Sequence, residues 1–382
     1  MNVLMISKAL VVGAYHRKLE EMAALGLRLD VVIPAKWGSR RPEITEGRNY
    51  TIHLLPVRFS GKNHFHIYPG LSSLFRVLSP DLLHIDEESY SAVTFQAIRC
   101  ARRRSVPSVF FNWQNILKSY PFPFSSMERY AFRHAAGALA GNEEARAVLQ
   151  RKGCRLPVSV IPQFGVDPDI FARRDASEFR ARLFGPGDFR IIGFGGRLVE
   201  EKGIRTLLEA FRGLKPDARL LFAGSGPMES EVRHLAGEAG NRIRILGDIP
   251  SGEMPSVLNC LDCLVLPSET RSNWKEQFGR ILIEAMACEV PVVGSDSGEI
   301  PNVIGTAGVV FPEKNAGALR TVLSSLLSDP SALSTLGRSG RARVLSCFTQ
   351  QIIARRTIGF YESLLGETAN GHHDPPGKSV LT

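Results

Sequence analysis

Twice along this chain, short runs of β-branched and aliphatic residues alternate with longer amphipathic stretches, and that alternation constrains the fold more than any other feature. The first series offers strands at 3–6, 30–33, 50–55, 81–85, 108–111, 137–140 and 158–161, with helices near 16–25, 92–103, 127–136 and 142–152. The second begins at Phe189 and places strands in RIIGFGGR, ARLLFAG, RIRILG, DCLVLP, EVPVVG and GVVF. Strands joined through helices pair in parallel, because a parallel connection must cross back over the sheet. Segments such as VPVVGSD are apolar almost throughout, as a strand covered on both faces requires. The reading is therefore α/β, with two Rossmann-like domains, and 382 residues is more than one core usually supports. The boundary falls within 164–179, which mixes Gly, Pro and charges, giving domains at 1–168 and 169–348. A helix at about 349–365 follows the last strand. The tail 367–382, ETANGHHDPPGKSVLT, has no periodicity and is expected to be disordered.

Charge is unevenly placed. Residues 1–168 hold 22 Lys and Arg against 13 Asp and Glu, while the remainder holds 25 of each, so the whole net charge of +9 lies in the first half. Clusters at Arg40-Arg41, Arg102-Arg103-Arg104 and Arg151-Lys152 are either a solvated surface or a docking face for an anionic membrane or acidic substrate. No RNA- or DNA-reading motif accompanies them, which excludes nucleic acid as a partner. No apolar run reaches the length of a membrane span, and Lys8 interrupts the apolar N-terminus, so a cytoplasmic protein, peripheral to the inner face of the membrane at most, is expected. Cys260 and Cys263 have the C-x-x-C spacing without a second ligand pair and read as buried thiols.

The chemistry concentrates in 268–304, SETRSNWKEQFGRILIEAMACEVPVVGSDSGEIPNVI. Gly279 marks the passage from a loop carrying Glu276 into the helix former run ILIEAMA, which places Glu284 more than one turn inside. Eight residues of helix rise at most about 12 Å, the span of an extended nucleotide sugar, so two carboxylates can grip different hydroxyls of one ligand. Ser297-Gly298-Glu299 then opens a short helix containing Pro301, whose N–H groups suit an anion. Read without further context, the same residues are one βα unit with surface glutamates at the helix entry.

That segment resembles the signature of the family 4 retaining glycosyltransferases: Glu, seven residues, Glu, a small-residue helix, a PVV strand and a Gly turn. GRLVEEKG at 196–203, AGSGPME at 223–229 and IPQFGVD at 161–167 match in the same order, so the resemblance covers nearly the whole chain to about Tyr361. It implies the GT-B fold, with the two domains facing across a cleft and the C-terminal helix crossing back to the first. It implies a metal-independent hexosyl transfer from a nucleotide-diphosphate sugar, UDP or GDP linked, to a saccharide or lipid-linked acceptor in cell-envelope polysaccharide or glycolipid synthesis, with no cofactor. Glu276, Arg197 and Lys202 are expected to carry catalysis, Arg197 and Lys202 by neutralising the departing diphosphate. Glu284 is expected on the ribose, Glu299 and Gly298 beside sugar and phosphates, and Gly13 and Gly196 where the backbone approaches the donor. Gly224 and Gly226 either line the site or make a tight turn. An NAD fingerprint fails at Leu198, where the third glycine would stand.

The chain departs from the family pattern twice. Only Gly13 stands where many members carry two glycines, and the strand at 108–111 is followed by Asn112-Trp113-Gln114-Asn115 without the usual His. Gln114 and Asn115 hydrogen-bond a sugar without acting as bases. With Glu87, at the end of another strand, they are the acceptor-side candidates. Those departures keep open a catalytically weak nucleotide-sugar-binding partner subunit; among enzymes, the alternative is a nucleotide-sugar epimerase on the same fold.

Overall fold

A computed structural model describes residues 1–44 and 48–370. The first sheet comprises β1 (Asn2–Ile6), β2 (Arg28–Pro34), β3 (Thr51–Leu55), β4 (Leu82–Ile85), β5 (Ser108–Asn112), β6 (Gly137–Ala140) and β7 (Val158–Val160). The second comprises β8 (Arg190–Gly195), β9 (Ala218–Ala223), β10 (Ile243–Ile245), β11 (Cys263–Leu266), β12 (Val292–Ser295) and β13 (Val309–Phe311). Pairing is parallel throughout, in the orders β3-β2-β1-β4-β5-β6-β7 and β10-β9-β8-β11-β12-β13. Every strand expected from the alternation is present. The helix Leu71–Leu78 was not anticipated, because it is short and begins with two serines in its first turn.

Both faces of each sheet are covered, which is why β4, β6, β11 and β12 are buried at every position. Each sheet also reverses its strand order once, at β1/β4 and at β8/β11. Loops leaving the carboxyl ends of two such strands run to opposite sides, and the crevice between them is where open α/β sheets bind ligands.

The helix Pro330–Cys347 closes the second domain, and the helix Gln350–Asn370 returns to the first, against the helix Arg17–Ala24. Ile353, Ala354, Tyr361 and Leu364 complete the apolar layer on one face of the first sheet. The Tyr361 hydroxyl and His84 Nδ1 share a hydrogen bond at the centre of that sheet. This helix extends through Asn370, five residues beyond its expected end. Of the tail expected to be disordered, 371–382, with His372 and His373, lies outside the described residues.

The chain passes between the sheets at two adjacent places. Val166 N–H donates to Phe348 O (2.9 Å) and Gln350 N–H to Val166 O (3.1 Å), a parallel bridge between the outgoing and returning segments. The Gln350 side chain closes it by bonding both the N–H (3.0 Å) and the carbonyl (2.8 Å) of Gly165. A Cβ on Gly165 would lie 2.4 Å from Phe348 O, so only glycine fits there.

Candidate active site

Where β8 and β11 part, a cavity of about 490 Å³ opens between the domains, a size suited to a small-molecule ligand. Its wall includes Gly196 and Lys202 from the loop after β8, and Glu276, Arg280 and Glu284 from the segment after β11; Trp113 and Phe164 enter from the first domain. Two sequence segments more than 70 residues apart thus converge because their strands are neighbours in the sheet.

The cavity's polar centre is a three-way contact. Lys202 Nζ lies 2.5 Å from Glu276 Oε2, and Ser268 Oγ donates to the same oxygen at 2.7 Å. Lys202 Nζ also stands 5.3 Å above the Trp274 ring. Glu276 is only 7% exposed, and a buried carboxylate needs such partners. Glu284 projects from the helix Arg280–Ala287 and pairs with Arg280 one turn back (2.7 Å). Burial pushes the Glu284 carboxyl above its ordinary range, and Arg280 opposes the shift. Arg197 is exposed beside this loop and, among the described residues, has no ion pair, leaving its guanidinium available to an anionic ligand.

The glycines divide by role. Gly196 lines the cavity. Gly224 and Gly226 pack under the 196–198 loop: a Cβ on Gly224 would lie 1.9 Å from Gly196 O, and one on Gly226 2.5 Å from Leu198 O. Both read as close-packing positions, outside the cavity wall. Gly298, at φ +55°, brings its backbone against Glu276, where a Cβ would fall 2.1 Å from the Glu276 carbonyl oxygen. The N–H of Glu299 donates to that same oxygen (3.1 Å). The expectation that Glu299 offers a free N–H to an anion therefore needs correcting: the amide fixes the backbone of Glu276. Burial raises the Glu299 carboxyl to about 7; Asn302 opposes this, while Glu144 and Glu143 of the first domain add repulsion.

Gly13, on the other side of the cleft, has its N–H bonded to Glu43 Oε2 at 2.8 Å. A carboxylate thus occupies the amide that was expected to face the donor. Asn115 is buried and bridges the domains, donating to Glu144 Oε2 (3.1 Å) and to Glu276 O (3.3 Å). Gln114 bonds locally to Ile116 O (2.8 Å). Glu87 leaves the end of β4 and pairs with Lys8 from the end of β1, across the first sheet's strand reversal. Burial pushes Glu87 up to about 7 against the pull of Lys8, and Glu88 likewise to about 7 against the Trp113 N–H. His66 Nε2 is 3.8 Å from Glu87 and makes no hydrogen bond among the described residues.

Sequence reasoning missed the seam that aligns the two halves. Asn142 donates to Gln277 O (2.6 Å), Gln277 to Trp113 O (3.0 Å), Lys118 to Asn273 O (3.2 Å), and Lys275 pairs with Glu144 (2.6 Å). Only their position after strand ends marked these residues. Ser268 had the clearest signal, standing two residues beyond β11.

Two parallel α/β domains with a cationic and acidic cleft between them define a two-domain Rossmann-like architecture whose ligand cleft lies at a strand reversal. The chain belongs to the group 1 glycosyl transferases: that family's description matches residues 175–343, and a glycosyl transferase 4-like domain matches 12–163. It is 32% identical over 208 residues to the GDP-mannose-dependent monoacylated alpha-(1-6)-phosphatidylinositol monomannoside mannosyltransferase of Corynebacterium glutamicum, covering 52% of this chain and 55% of that one. It is 28% identical to the 2-deoxystreptamine glucosyltransferase of Streptomyces kanamyceticus over 64% of each. The match thus spans between half and two thirds of these relatives. Among solved structures, the sucrose-phosphate synthase of Thermosynechococcus elongatus shares the fold at a TM-score of 0.73 and 20% identity, over 96% of this chain and 100% of that one. HepE of Anabaena in complex with UDP does so at 0.74 and 18%, over 95% and 100%.

Proposed function

We propose that this chain transfers a hexosyl unit from a nucleoside-diphosphate sugar to a hydroxyl of a saccharide or lipid-linked acceptor, with retention, in the synthesis of an envelope polysaccharide or glycolipid. The observation that carries the reading is that Lys202, Glu276 and Glu284 line one interdomain cavity, with Lys202 and the buried Ser268 both on Glu276 Oε2, and with Arg197, which has no ion pair among the described residues, directly after the cavity-lining Gly196. The bond from the anomeric carbon to the diphosphate breaks, and the acceptor oxygen bonds to that carbon on the same face. The acceptor proton passes to a departing phosphate oxygen. Arg197 and Lys202 stabilise the charge that builds on the diphosphate, and a donor phosphate draws Lys202 away from Glu276, which frees that carboxylate for sugar hydroxyls. Glu284 holds the ribose. Glu87, with Lys8 and His66, stands on the acceptor side. The basic first domain supports work at the inner face of an anionic membrane.

A second reading, a nucleotide-sugar-binding partner subunit without transferase activity, is favoured by the occupied Gly13 amide and by Asn112-Trp113-Gln114-Asn115 after β5. Donor hydrolysis separates the two. A panel of UDP- and GDP-sugars is expected to raise Tm and to show slow hydrolysis. Lys202→Ala and Glu276→Ala are each expected to cut kcat by about 10²-fold or more, and Lys202→Ala also to weaken the nucleotide-induced Tm shift. If both variants bind and turn over like the parent, the donor site lies elsewhere.

A further inference from the structure

Three loops of the first domain follow the carboxyl ends of parallel strands and so emerge on one edge of the sheet: 35–44 after β2, 56–66 after β3 and 113–123 after β5. The first two touch directly, and the second packs on Phe124, the first residue of the helix that follows the third. Ser60 Oγ accepts from Gly38 N–H (2.9 Å) and donates to Lys36 O (2.8 Å), and the rings of Phe65 and Phe124 meet edge to face at 4.8 Å. Lys118 reaches Asn273 of the second domain, so this edge borders the mouth of the cleft.

The rim these loops form is apolar and basic together. Phe59 is 57% exposed, Phe65 51%, Leu117 54% and Phe122 82%. Phe59 holds φ +60°, a conformation rare for a bulky residue, in a loop pinned at its base by paired Arg58 and Ile67 (3.0 and 3.3 Å). Lys36, Arg40, Arg41, Arg58 and Lys62 are exposed and, among the described residues, have no ion pair. Residues 48–80 contain no Asp or Glu, and neither do 105–127; loop 35–44 carries one acid, the exposed Glu43, whose carboxylate accepts from Gly13 N–H. A solvated surface intersperses charges of both signs; five cations against one acid around exposed aromatic rings fit a negatively charged apolar boundary instead.

We propose that this rim docks on an anionic lipid bilayer, with Phe59, Phe65, Leu117 and Phe122 entering the headgroup layer and the five cations over acidic headgroups, so that the cleft opens at the lipid surface. The inference gives the membrane-contact reading a definite surface and stands apart from the donor chemistry. The test is co-sedimentation of the full chain with phosphatidylcholine vesicles, with and without phosphatidylglycerol. Binding is expected only with phosphatidylglycerol and is expected to weaken as salt rises. Phe59→Ser combined with Phe122→Ser, and separately Arg40→Gln with Arg41→Gln and Lys62→Gln, are each expected to weaken it by at least about tenfold, since one cation near the surface is worth roughly fivefold. Both variants are expected to retain the parent Tm and its shift with nucleotide. Arg102→Gln with Arg103→Gln and Arg104→Gln, at the opposite edge of the sheet, is the control and is expected to bind as the parent does. The proposal fails if phosphatidylglycerol vesicles do not retain the chain. It fails equally if the rim variants bind normally, or if the control loses binding as they do.

Discussion

Glu276 carries more of this site than its spacing alone suggests. Its carboxylate joins Lys202 and Ser268, while its carbonyl receives the Glu299 N–H and the Asn115 side chain. The backbone is thereby fixed from both domains before any ligand binds, which limits the reorganisation left for catalysis. Gly298 is part of this clamp, because its positive φ and missing Cβ let the β12 turn close on the Glu276 carbonyl. Gly298→Ala is accordingly expected to cost about 1–3 kcal/mol of stability and to lower kcat by more than it alters nucleotide binding. Denaturant melts and steady-state kinetics on the same variant check this. Parent-like kinetics would show that the turn is not needed to place the glutamate.

Among the elements, the loop after β1 is the one whose state conflicts with the proposed reaction. Its Gly13 amide bonds Glu43, and Glu43 N–H is itself bonded to Val11 O at 3.0 Å, so the 43 segment lies over the loop like a strap. A carboxylate at an amide is the arrangement a phosphate would use, and the two compete for one donor. Glu43→Ala is expected to lower the donor KM several-fold with little change in kcat, as read from initial rates. A rise in KM would mean that Glu43 helps to hold the loop in its binding form. The helix Arg280–Ala287 needs no such rearrangement, since its Glu284 already faces the cavity.

Over the whole molecule, two unlike attachments relate the domains. The cleft side carries the polar seam of Asn115, Asn142, Gln277 and the Lys275–Glu144 pair, contacts that water can replace at modest cost. The far side carries the Gly165 bridge and the terminal helix, whose apolar residues belong to the first domain's core. Motion between domains is therefore expected to open the seam and bend at the bridge. The helix anchor is sensitive to acid. Burial lowers the His84 pKa to about 4 from 6.5, with Asp86 opposing. A histidine held neutral in the fold contributes stability that is present above its unfolded pKa and is lost as pH falls from about 6.5 through 4. Glu87, Glu88 and Glu299, raised to about 7, act in the opposite sense, favouring the fold as pH drops below 7. The comparison that isolates the histidine is between variants: His84→Gln is expected to lose less Tm between pH 7 and pH 5 than the parent does. Parallel Tm curves would remove His84 from the account.

The sequence by itself determined the two parallel sheets, because each strand is an apolar run between helices and carries that pattern locally. Its resemblance to the family 4 glycosyltransferases, carried by four motifs in order, implied that Glu276, Glu284, Arg197 and Lys202 serve one site. It did not show that Lys202 and Glu276 are partners, that Glu43 occupies the Gly13 amide, or that the Glu299 amide is spent on a carbonyl. Those contacts join residues tens of positions apart or on opposite sides of a cleft, and nothing in the local pattern of either partner encodes them. The strand reversals at β1/β4 and β8/β11, the domain seam and the return of the last helix decided which side chains meet. Such pairings exist only once long-range packing has brought the loops together.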